Sequence, residues 1–432
     1  MCIGDKLFMR IFLGVTNVCN ILSYLEDGFN ELGIECTTLY VNEHIFKYES
    51  EKRKFVRVLQ YITKQSNGKN RFYKRFYLVI KDMYMFMLLI YFLFKYDVFI
   101  FTYGTTFIRR KLDLPLLKFF NKKILMLYLG SDCRPPYLAG NRREVPINEI
   151  KLLTRKMKKA MEVSEKYADY IINYPPQALF QKRKFILGLA IGLPMREEEA
   201  DNKKEIVKSL EQKEIIILHS PSSPLDKGTD IIRNIIESLY KKGYKIKYIE
   251  IINKTHAEVL ENIKACDFVI DQVYSDTPMA VFATEAALYG KPAIIGGYYS
   301  EYMYNEIKDK FIPPSEYVLP EYIEEAVIKL IENEQYRRNL GKKAQKYVKC
   351  YCSPKKVAER YVKIISNDIP EEWWFDPEDI EYFWGYGYSR TDVKKRVNDI
   401  VNEYGKIEDL CLSNNLQKKI SKVFTHPIRT YE

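Results

Sequence analysis

The segment from Ile215 to Gly297 constrains the fold most strongly, because strand-like and helix-like patterns alternate along it. Short apolar runs, of the kind found in parallel strands covered on both faces, begin at Glu214, Ile246 and Asp267. Segments with helical periodicity fill the intervals, and such alternation is typical of a doubly wound parallel sheet. The segment therefore predicts half of a nucleotide-binding α/β domain.

The loops after these predicted strands hold the first candidates for ligand binding. Ligands of doubly wound sheets bind at the carboxyl ends of the strands, where His219, the Ser222 loop, Asn253 and Thr277 stand. The helix after the first strand is predicted to begin with Thr229 or Asp230 as its N-cap and to end near Gly243.

Three stretches, HSPSSPLDKGTDII, ACDFVIDQ and PMAVFATEAALYGKPAII, resemble the donor-binding domain of the retaining family 4 glycosyltransferases. The resemblance implies a GT-B fold, in which two Rossmann-like α/β domains face each other across a cleft. It also implies that Lys227, followed by Gly228, contacts the donor diphosphate and that Glu285 holds the donor ribose. The chemistry agrees, because a diphosphate needs a cation and free N–H groups, which Lys227 and a helix N-terminus at Met279 and Ala280 supply.

The chain departs from the family pattern at three positions. Thr277, beside Asp276, stands where the family has its first glutamate, and Ser222 stands where it often has an arginine. Asp132 is the candidate for the catalytic position that the family fills with histidine, and a loop-capping aspartate is the equal alternative. The predicted catalytic residues are Asp132, Lys227 and Glu285. The predicted donor-binding residues are His219, Ser222, Lys227, Gly228, Thr277, Met279, Ala280 and Glu285.

The N-terminal half predicts a second α/β domain. A strand from Arg10 to Val15 leads into a loop whose Thr16 and Asn17 are expected on the acceptor side of the cleft. The chain length favours two or three units. The predicted domains are residues 1–195 on the acceptor side, 196–366 on the donor side and a C-terminal helical and aromatic extension at 367–432, with a hinge near Gly192 to Asn202.

The positions of the cysteines and histidines limit the kinds of metal site that the chain can form. Eight cysteines and four histidines are scattered without metal-binding spacing, and Asp-x-Asp does not occur. The sequence therefore predicts no catalytic metal and no cofactor beyond a nucleotide-sugar co-substrate. Free thiols favour a cytoplasmic location, and no signal peptide is expected.

The net charge of +11 is concentrated near the N-terminus. Ten lysines or arginines and no acidic residue lie between Lys52 and Lys81, interleaved with aromatic residues. This pattern favours an anionic membrane surface as a partner and a peripheral position on the inner face of the membrane. Nucleic acid is the rejected alternative, because no nucleic-acid-binding fold signature accompanies the patch. The apolar run from Met83 to Phe94 is predicted to be a buried helix.

All three tryptophans, Trp373, Trp374 and Trp384, lie in the C-terminal extension. The favoured interpretation is an aromatic clamp that packs the C-terminal helices onto the first domain. A sugar-stacking platform is the alternative, because aromatic faces suit carbohydrate rings.

The function expected from the resemblance is transfer of a sugar from a nucleotide-sugar donor to a cell-envelope glycan or lipid-linked acceptor. The alternative of another class is a catalytically silent relative that binds a nucleotide-sugar or glycan as an assembly factor. A nucleotide-sugar epimerase on the same fold is less favoured, because such chains usually carry several acidic and histidine residues in the cleft.

Overall fold

The computed structural model describes residues 9–41, 53–66, 71–196, 214–404 and 407–425. The strands are β1 Ile11–Val15, β2 Cys36–Tyr40, β3 Val98–Thr102, β4 Lys123–Leu127, β5 Tyr170–Asn173, β6 Phe185–Leu187, β7 Ile215–His219, β8 Ile246–Glu250, β9 Phe268–Gln272, β10 Ala293–Gly296, β11 Glu316–Val318 and β12 Trp374–Phe375. The helices are α1 Ile21–Glu31, α2 Lys54–Ser66, α3 Arg71–Lys95, α4 Asp113–Phe119, α5 Ile147–Tyr167, α6 Gly188–Ile191, α7 Pro224–Lys227, α8 Thr229–Lys241, α9 His256–Ala265, α10 Val281–Leu288, α11 Met303–Glu306, α12 Ile323–Glu332, α13 Glu334–Tyr351, α14 Pro354–Ile365, α15 Arg390–Tyr404 and α16 Asn414–Thr425.

Two sheets form the frame of the molecule. The first has the order β12-β6-β5-β4-β3-β1-β2, and the second has the order β11-β10-β9-β7-β8. All neighbouring strands are parallel except β12, which runs antiparallel to β6. The strand order reverses between β1 and β3 in the first sheet and between β7 and β9 in the second, and crevices that bind ligands form at such switch points. This is the predicted GT-B fold.

The strands predicted from Glu214, Ile246 and Asp267 are observed as β7, β8 and β9 of the second sheet, whereas α7 and the edge strand β11 were not predicted. Apolar side chains cover both of its faces in two separate clusters, as the continuous apolar runs require. The predicted N-cap of α8 was wrong: Gly228, with φ +72°, precedes the helix, which begins at Thr229. Glycine is required at this position because a Cβ there would meet the side chain of Val273.

C-terminal elements return to the first domain. Helix α14 packs on α1, where Gly28 lets the backbone at Pro354 approach closely. Strand β12 extends the first sheet, with Trp374 opposite Ile186. Trp373 and Trp384 are both buried. These contacts agree with an aromatic clamp on the first domain at Trp373 and Trp374, whereas the Trp384 ring packs on Tyr298 of the second domain and on Phe424 of α16.

Helix α3 departs from its prediction. Leu89 and Phe92 are buried, and the Phe92 ring lies 4.9 Å from that of Phe12 on β1. The opposite face is exposed, with Met83 and Phe94 each 68% accessible. The prediction that Met83 to Phe94 is buried therefore holds for one face only. Within the described residues, this is the one helix long and apolar enough to cross a membrane by length and composition.

Candidate functional site

A cavity of about 620 Å³ lies between the two domains, at the carboxyl ends of both sheets. Residues that follow strand ends form much of its wall: Ser131 and Arg134 after β4, Ser222 and Lys227 after β7, and Asp276, Thr277, Met279 and Ala280 after β9. The cavity therefore occupies the crevice in which open α/β sheets bind ligands. We call it the cleft cavity.

Lys227 places a buried cation in the wall of the cleft cavity. Its Nζ lies 2.6 Å from Oε1 of Gln272 and 3.3 Å from Oδ1 of Asp271. Burial lowers the pKa of Lys227, but electrostatic attraction to its neighbours, led by the Asp271 carboxylate, more than offsets this effect, so the pKa lies above its ordinary value. Lys227 is thus a charged ammonium that its own domain holds in place in the wall of the cleft cavity.

Helix α10 directs its N-terminus at the same space. Ala280, Val281 and Thr284 line the cleft cavity. The first N–H groups of a helix have no partner within the helix and carry partial positive charge. Lys227 and the start of α10 therefore bring a cation and backbone donors to one cavity, which is the combination that a diphosphate requires.

Glu285 lies behind this wall rather than in it. Its Oε1 is 2.8 Å from Nε2 of His256, and both side chains are buried. Thr284, one residue earlier, is the cavity-lining neighbour. Contact between Glu285 and a donor ribose stays a prediction, while the present geometry shows Glu285 fixing α10 to α9.

An ion pair joins the two walls of the cleft. Nε and NH2 of Arg134 donate to Oδ2 of Asp276 at 2.6 and 2.5 Å, and both side chains are almost fully buried. Beside them, Gln177 donates from Nε2 to Oγ1 of Thr277 at 3.0 Å. Thr277 donates in turn to Asp276 at 3.1 Å. The predicted donor residue Thr277 thus lines the cavity as part of an interdomain network.

A segment of the C-terminal extension completes the cavity. Tyr386 lines it and lies under the Arg134 guanidinium, 5.0 Å from the ring centre. The backbone of this segment bonds the first domain at Leu138 and, through Gly387, the second domain at Tyr274. Sequence reasoning missed Arg134 and Tyr386. The available signal was Gly385 and Gly387 on either side of Tyr386, because both adopt positive φ and close contact with Leu138 or Gly140.

His219 is not available to a donor, contrary to its prediction. The side chain is completely buried, with Nδ1 2.8 Å from the Ile270 carbonyl oxygen and Nε2 2.9 Å from Oγ1 of Thr229. Burial lowers the pKa of His219 to about 4, so the ring is neutral. Its role is to join β7, β9 and α8 beneath the cavity. Asn253 likewise does not line the cavity, whereas Ser222 does.

Asp132 shapes its own loop. Both carboxylate oxygens accept the backbone N–H of Leu129, at 3.1 and 3.3 Å. Burial raises the pKa of Asp132 to about 6, although this hydrogen bond opposes the shift. Gly130 and Ser131 of the same loop line the cleft cavity, while Asp132 does not. The geometry supports the loop-capping alternative over a catalytic role.

Thr16 and Asn17 are both engaged at the first switch point. Oγ1 of Thr16 lies 2.8 Å from Oγ1 of Thr105, which links the loops after β1 and β3. Oδ1 of Asn17 accepts the N–H of Leu22 at 3.0 Å, at the start of α1. Thr16 lines a second cavity, described below, rather than the cleft cavity.

No protein-family model matches the chain, and no curated protein matches it. Among solved structures, the chain is similar to HepE of Anabaena in complex with UDP and glucose, with 12% identity and a TM-score of 0.49 over 83% of this chain and 100% of that chain. It is also similar to a sucrose-phosphate synthase of Thermosynechococcus elongatus, with 15% identity and a TM-score of 0.46 over 83% and 98% of the two chains. The glycosyltransferase SnogD of Streptomyces nogalater gives 10% identity and a TM-score of 0.43 over 82% and 100%.

Proposed function

We propose that this protein is a glycosyltransferase that moves a sugar from a nucleotide-sugar donor to an acceptor. One observation carries the proposal: Lys227 and the N-terminus of α10 meet in an interdomain cavity at the carboxyl ends of parallel strands. A nucleoside diphosphate is the ligand that this combination of a cation and backbone donors fits best.

The proposed chemistry follows from charge. Cleavage of the bond between the anomeric carbon and the leaving oxygen releases a nucleoside diphosphate, whose growing negative charge needs stabilisation. Lys227 and the α10 N–H groups would supply it, with no metal or further cofactor in the proposal. Glu285 would contact the ribose, and retention of anomeric configuration is proposed from the family resemblance alone.

Equilibrium binding of UDP, GDP and ADP tests the donor site. We expect one nucleotide to bind the wild-type protein and to raise its melting temperature, because ligand at ~100 times its dissociation constant adds about 2.7 kcal/mol of stability. Lys227→Ala is expected to abolish that shift, whereas Lys254→Ala, an exposed lysine of the same domain, keeps it. A nucleotide shift that survives Lys227→Ala would remove Lys227 from the donor site.

A non-catalytic nucleotide-sugar or glycan-binding protein is the second candidate function. The observation in its favour is the engagement of the two described histidines: His219 is buried, and His256 is bonded to Glu285. Nucleotide binding without release of nucleoside diphosphate, in the presence of acceptor lipids, would support this function over transfer.

The acceptor is proposed to be a cell-envelope glycan or a lipid-linked molecule met at the cytoplasmic face of a membrane. A line of exposed apolar residues runs along α3 and forms what we call the α3 stripe: Phe72, Phe76, Val79, Met83, Phe86, Met87 and Phe94. Their spacing of three or four residues places most of them on one helical face. Lys74 and Arg75 are exposed on the same helix.

An exposed apolar face on a helix that also carries exposed cations suits the interface of an anionic bilayer. Because the other face of α3 packs in the first domain, we propose that the helix lies in the interface rather than crossing the bilayer. Of the basic region predicted to bind membranes, Lys52 and residues 67–70 lie outside the described residues, so the α3 stripe carries this part of the proposal.

Vesicle flotation tests the membrane proposal. The protein is expected to float with phosphatidylglycerol vesicles and to remain behind with phosphatidylcholine vesicles. Phe72→Ser combined with Phe76→Ser should reduce flotation, whereas Tyr240→Ser, an exposed aromatic of the second domain, should not. Equal recovery of the wild-type protein with both lipids would contradict the proposal.

A further inference from the structure

A second cavity of about 1000 Å³ lies in the first domain, beside α3. We call it the basic groove. Among the lining residues that the structure describes, seven are lysine or arginine and one is acidic: Lys81, Arg109, Arg110, Lys111, Arg155, Lys156 and Lys159, with Asp82. Apolar side chains such as Met85, Phe107 and Leu112 line the rest. An excess of cations in a half-enclosed space focuses a positive potential that attracts anions.

Some of these cations already have partners and some do not. Arg109 is 3.4 Å from Asp82, Arg155 is 2.9 Å from Asp409, and Lys111 is bonded to Tyr128. By contrast, Arg110, Lys156 and Lys159 have no hydrogen-bond or ion-pair partner within the ranges that the structure describes. Three side chains of the basic groove are therefore open to an anionic ligand.

The backbone that presents Arg110 is strained. Arg110 and Lys111 adopt φ values of +61° and +59°, a region that is costly for side chains other than glycine. Lys111 anchors the turn from beneath, where burial lowers its pKa to about 8. Its Nζ donates to the Ala160 carbonyl oxygen at 3.1 Å, one residue from Lys159 on α5. The turn thereby holds Arg110 in the same groove as Lys156 and Lys159.

The basic groove lies next to the cleft cavity and next to the helix that carries the α3 stripe. Thr16 and Thr105 line the groove, while Val18 and Tyr103 of the same two loops line the cleft cavity. One pair of loops therefore separates the two spaces. At its other edge, Lys81, Asp82 and Met85 belong to the helix that carries the exposed α3 stripe.

We infer that the basic groove binds the phosphate or diphosphate group of an amphiphilic acceptor. Arg110, Lys156 and Lys159 hold the anion, and the apolar chain of the acceptor lies against the exposed side chains of α3. The opposite end of the acceptor reaches the cleft cavity across the loops at Thr16 and Thr105. The identification of the bound molecule as an acceptor rests on the proposed function, whereas the anion site itself does not.

Binding of farnesyl diphosphate to the full chain tests this inference, with inorganic pyrophosphate and farnesol as the anionic and apolar halves alone. Farnesyl diphosphate should bind, and each half should bind more weakly. Each charge-assisted hydrogen bond to phosphate changes affinity by roughly 10-fold, so Arg110→Ala with Lys156→Ala and Lys159→Ala should weaken binding by up to about 1000-fold. The double variant Lys156→Gln with Lys159→Gln leaves the strained turn intact and should weaken binding by an intermediate factor.

Two controls separate this site from the donor site. Lys342→Gln with Lys343→Gln removes two exposed helical lysines that line neither cavity and should leave farnesyl diphosphate binding unchanged. Farnesyl diphosphate binding should also persist when UDP, GDP and ADP are present together at saturating concentration, because the donor site, which can itself accept a diphosphate, is separate from the basic groove. The inference is overturned if farnesyl diphosphate does not bind, or if the Lys156 and Lys159 double variant binds it as tightly as the wild-type protein does. If pyrophosphate binds as tightly as farnesyl diphosphate, the ligand of the groove is a simple anion and not an amphiphile. Nucleotide binding on the same samples reports on the proposed function independently.

Discussion

The two walls of the cleft neutralise their buried cations in opposite ways. On the second-domain wall, Lys227 is held by Asp271 and Gln272 of its own domain. On the first-domain wall, Arg134 is held by Asp276, which belongs to the facing domain. Relative movement of the domains would leave the Lys227 pair intact and break the Arg134 pair.

This difference assigns the two cations different tasks. Lys227 is held in position by Asp271 and Gln272 of its own domain, as the proposed stabilisation of a leaving group requires. The ion pair of Arg134 depends on the relative position of the two domains, because its partner Asp276 belongs to the facing domain. The second-domain wall thus holds its cation without help from the first domain, whereas the Arg134 pair links the two domains.

The largest expected effect comes from removing the interdomain cation. Arg134→Leu leaves Asp276 buried without its partner, a change that typically costs about 3–5 kcal/mol. The variant should unfold at a markedly lower urea concentration, and its radius of gyration in solution scattering should increase. Lys242→Leu, which breaks an exposed pair with Glu324, is the control and should cause a small loss. Equal losses in the two variants would contradict the linking role of the Arg134 pair.

Asp132, in the loop after β4 of the first domain, makes the stability of the protein depend on pH. Its raised pKa means that the folded protein binds a proton at pH values where the unfolded chain has released it. Stability from this group is therefore fully present below about pH 4 and is lost as pH rises through about 6. A pKa of about 6 against an ordinary 3.8 corresponds to about 3 kcal/mol. Asp132→Asn should gain unfolding free energy relative to wild type between pH 4 and 7, and an unchanged difference would refute the burial of this carboxyl group.

A smaller effect is expected from Glu285, which lies behind the second-domain wall. Glu285→Gln keeps an oxygen that can accept from His256, so the fold should be retained. Loss of the carboxylate should weaken nucleotide affinity by about 10-fold, which is the scale of one hydrogen bond to a charged group. Calorimetric titration measures this change. Unchanged affinity would leave Glu285 with only its role in fixing α10.

The smallest effect concerns the residue that touches both walls. Tyr386→Leu removes the aromatic face beneath Arg134, and such cation–π contacts contribute about 1–2 kcal/mol when desolvated. Tyr386→Phe keeps the face and should match wild type in thermal unfolding. A loss in the Phe variant as large as that in the Leu variant would assign the contribution to the hydroxyl group instead.

The second-domain wall of the cleft was predictable from sequence because the patterns that form it lie close together in the chain. Each βαβ unit between Ile215 and Gly296 carries its own apolar strand and its own helix, and Lys227 follows a strand within ten residues. His219 was misplaced because a strand-end position does not reveal which side of the sheet a ring faces. The structure turns it inward to Ile270 and Thr229.

The first-domain wall was not predictable in the same way. Arg134 and Asp276 are 142 residues apart, and Tyr386 arrives from the C-terminal extension. Only the fold brings them together. The α3 helix shows the same limit, because an apolar run looks alike whether its faces meet a protein core or another apolar medium. The structure buries Leu89 and exposes Met83, which sequence periodicity alone did not separate.

Release of nucleoside diphosphate from the nucleotide-sugar that binds the cleft tests the central claim most directly. The assay uses wild-type protein, Lys227→Ala and Lys254→Ala, each with a lipid extract that contains phosphate-bearing amphiphiles. The account predicts release by wild type and by Lys254→Ala, and a loss of about 100-fold or more in Lys227→Ala, the usual effect of removing one group that stabilises transition-state charge. Equal release by wild type and Lys227→Ala, or no release by wild type despite tight nucleotide binding, would contradict it.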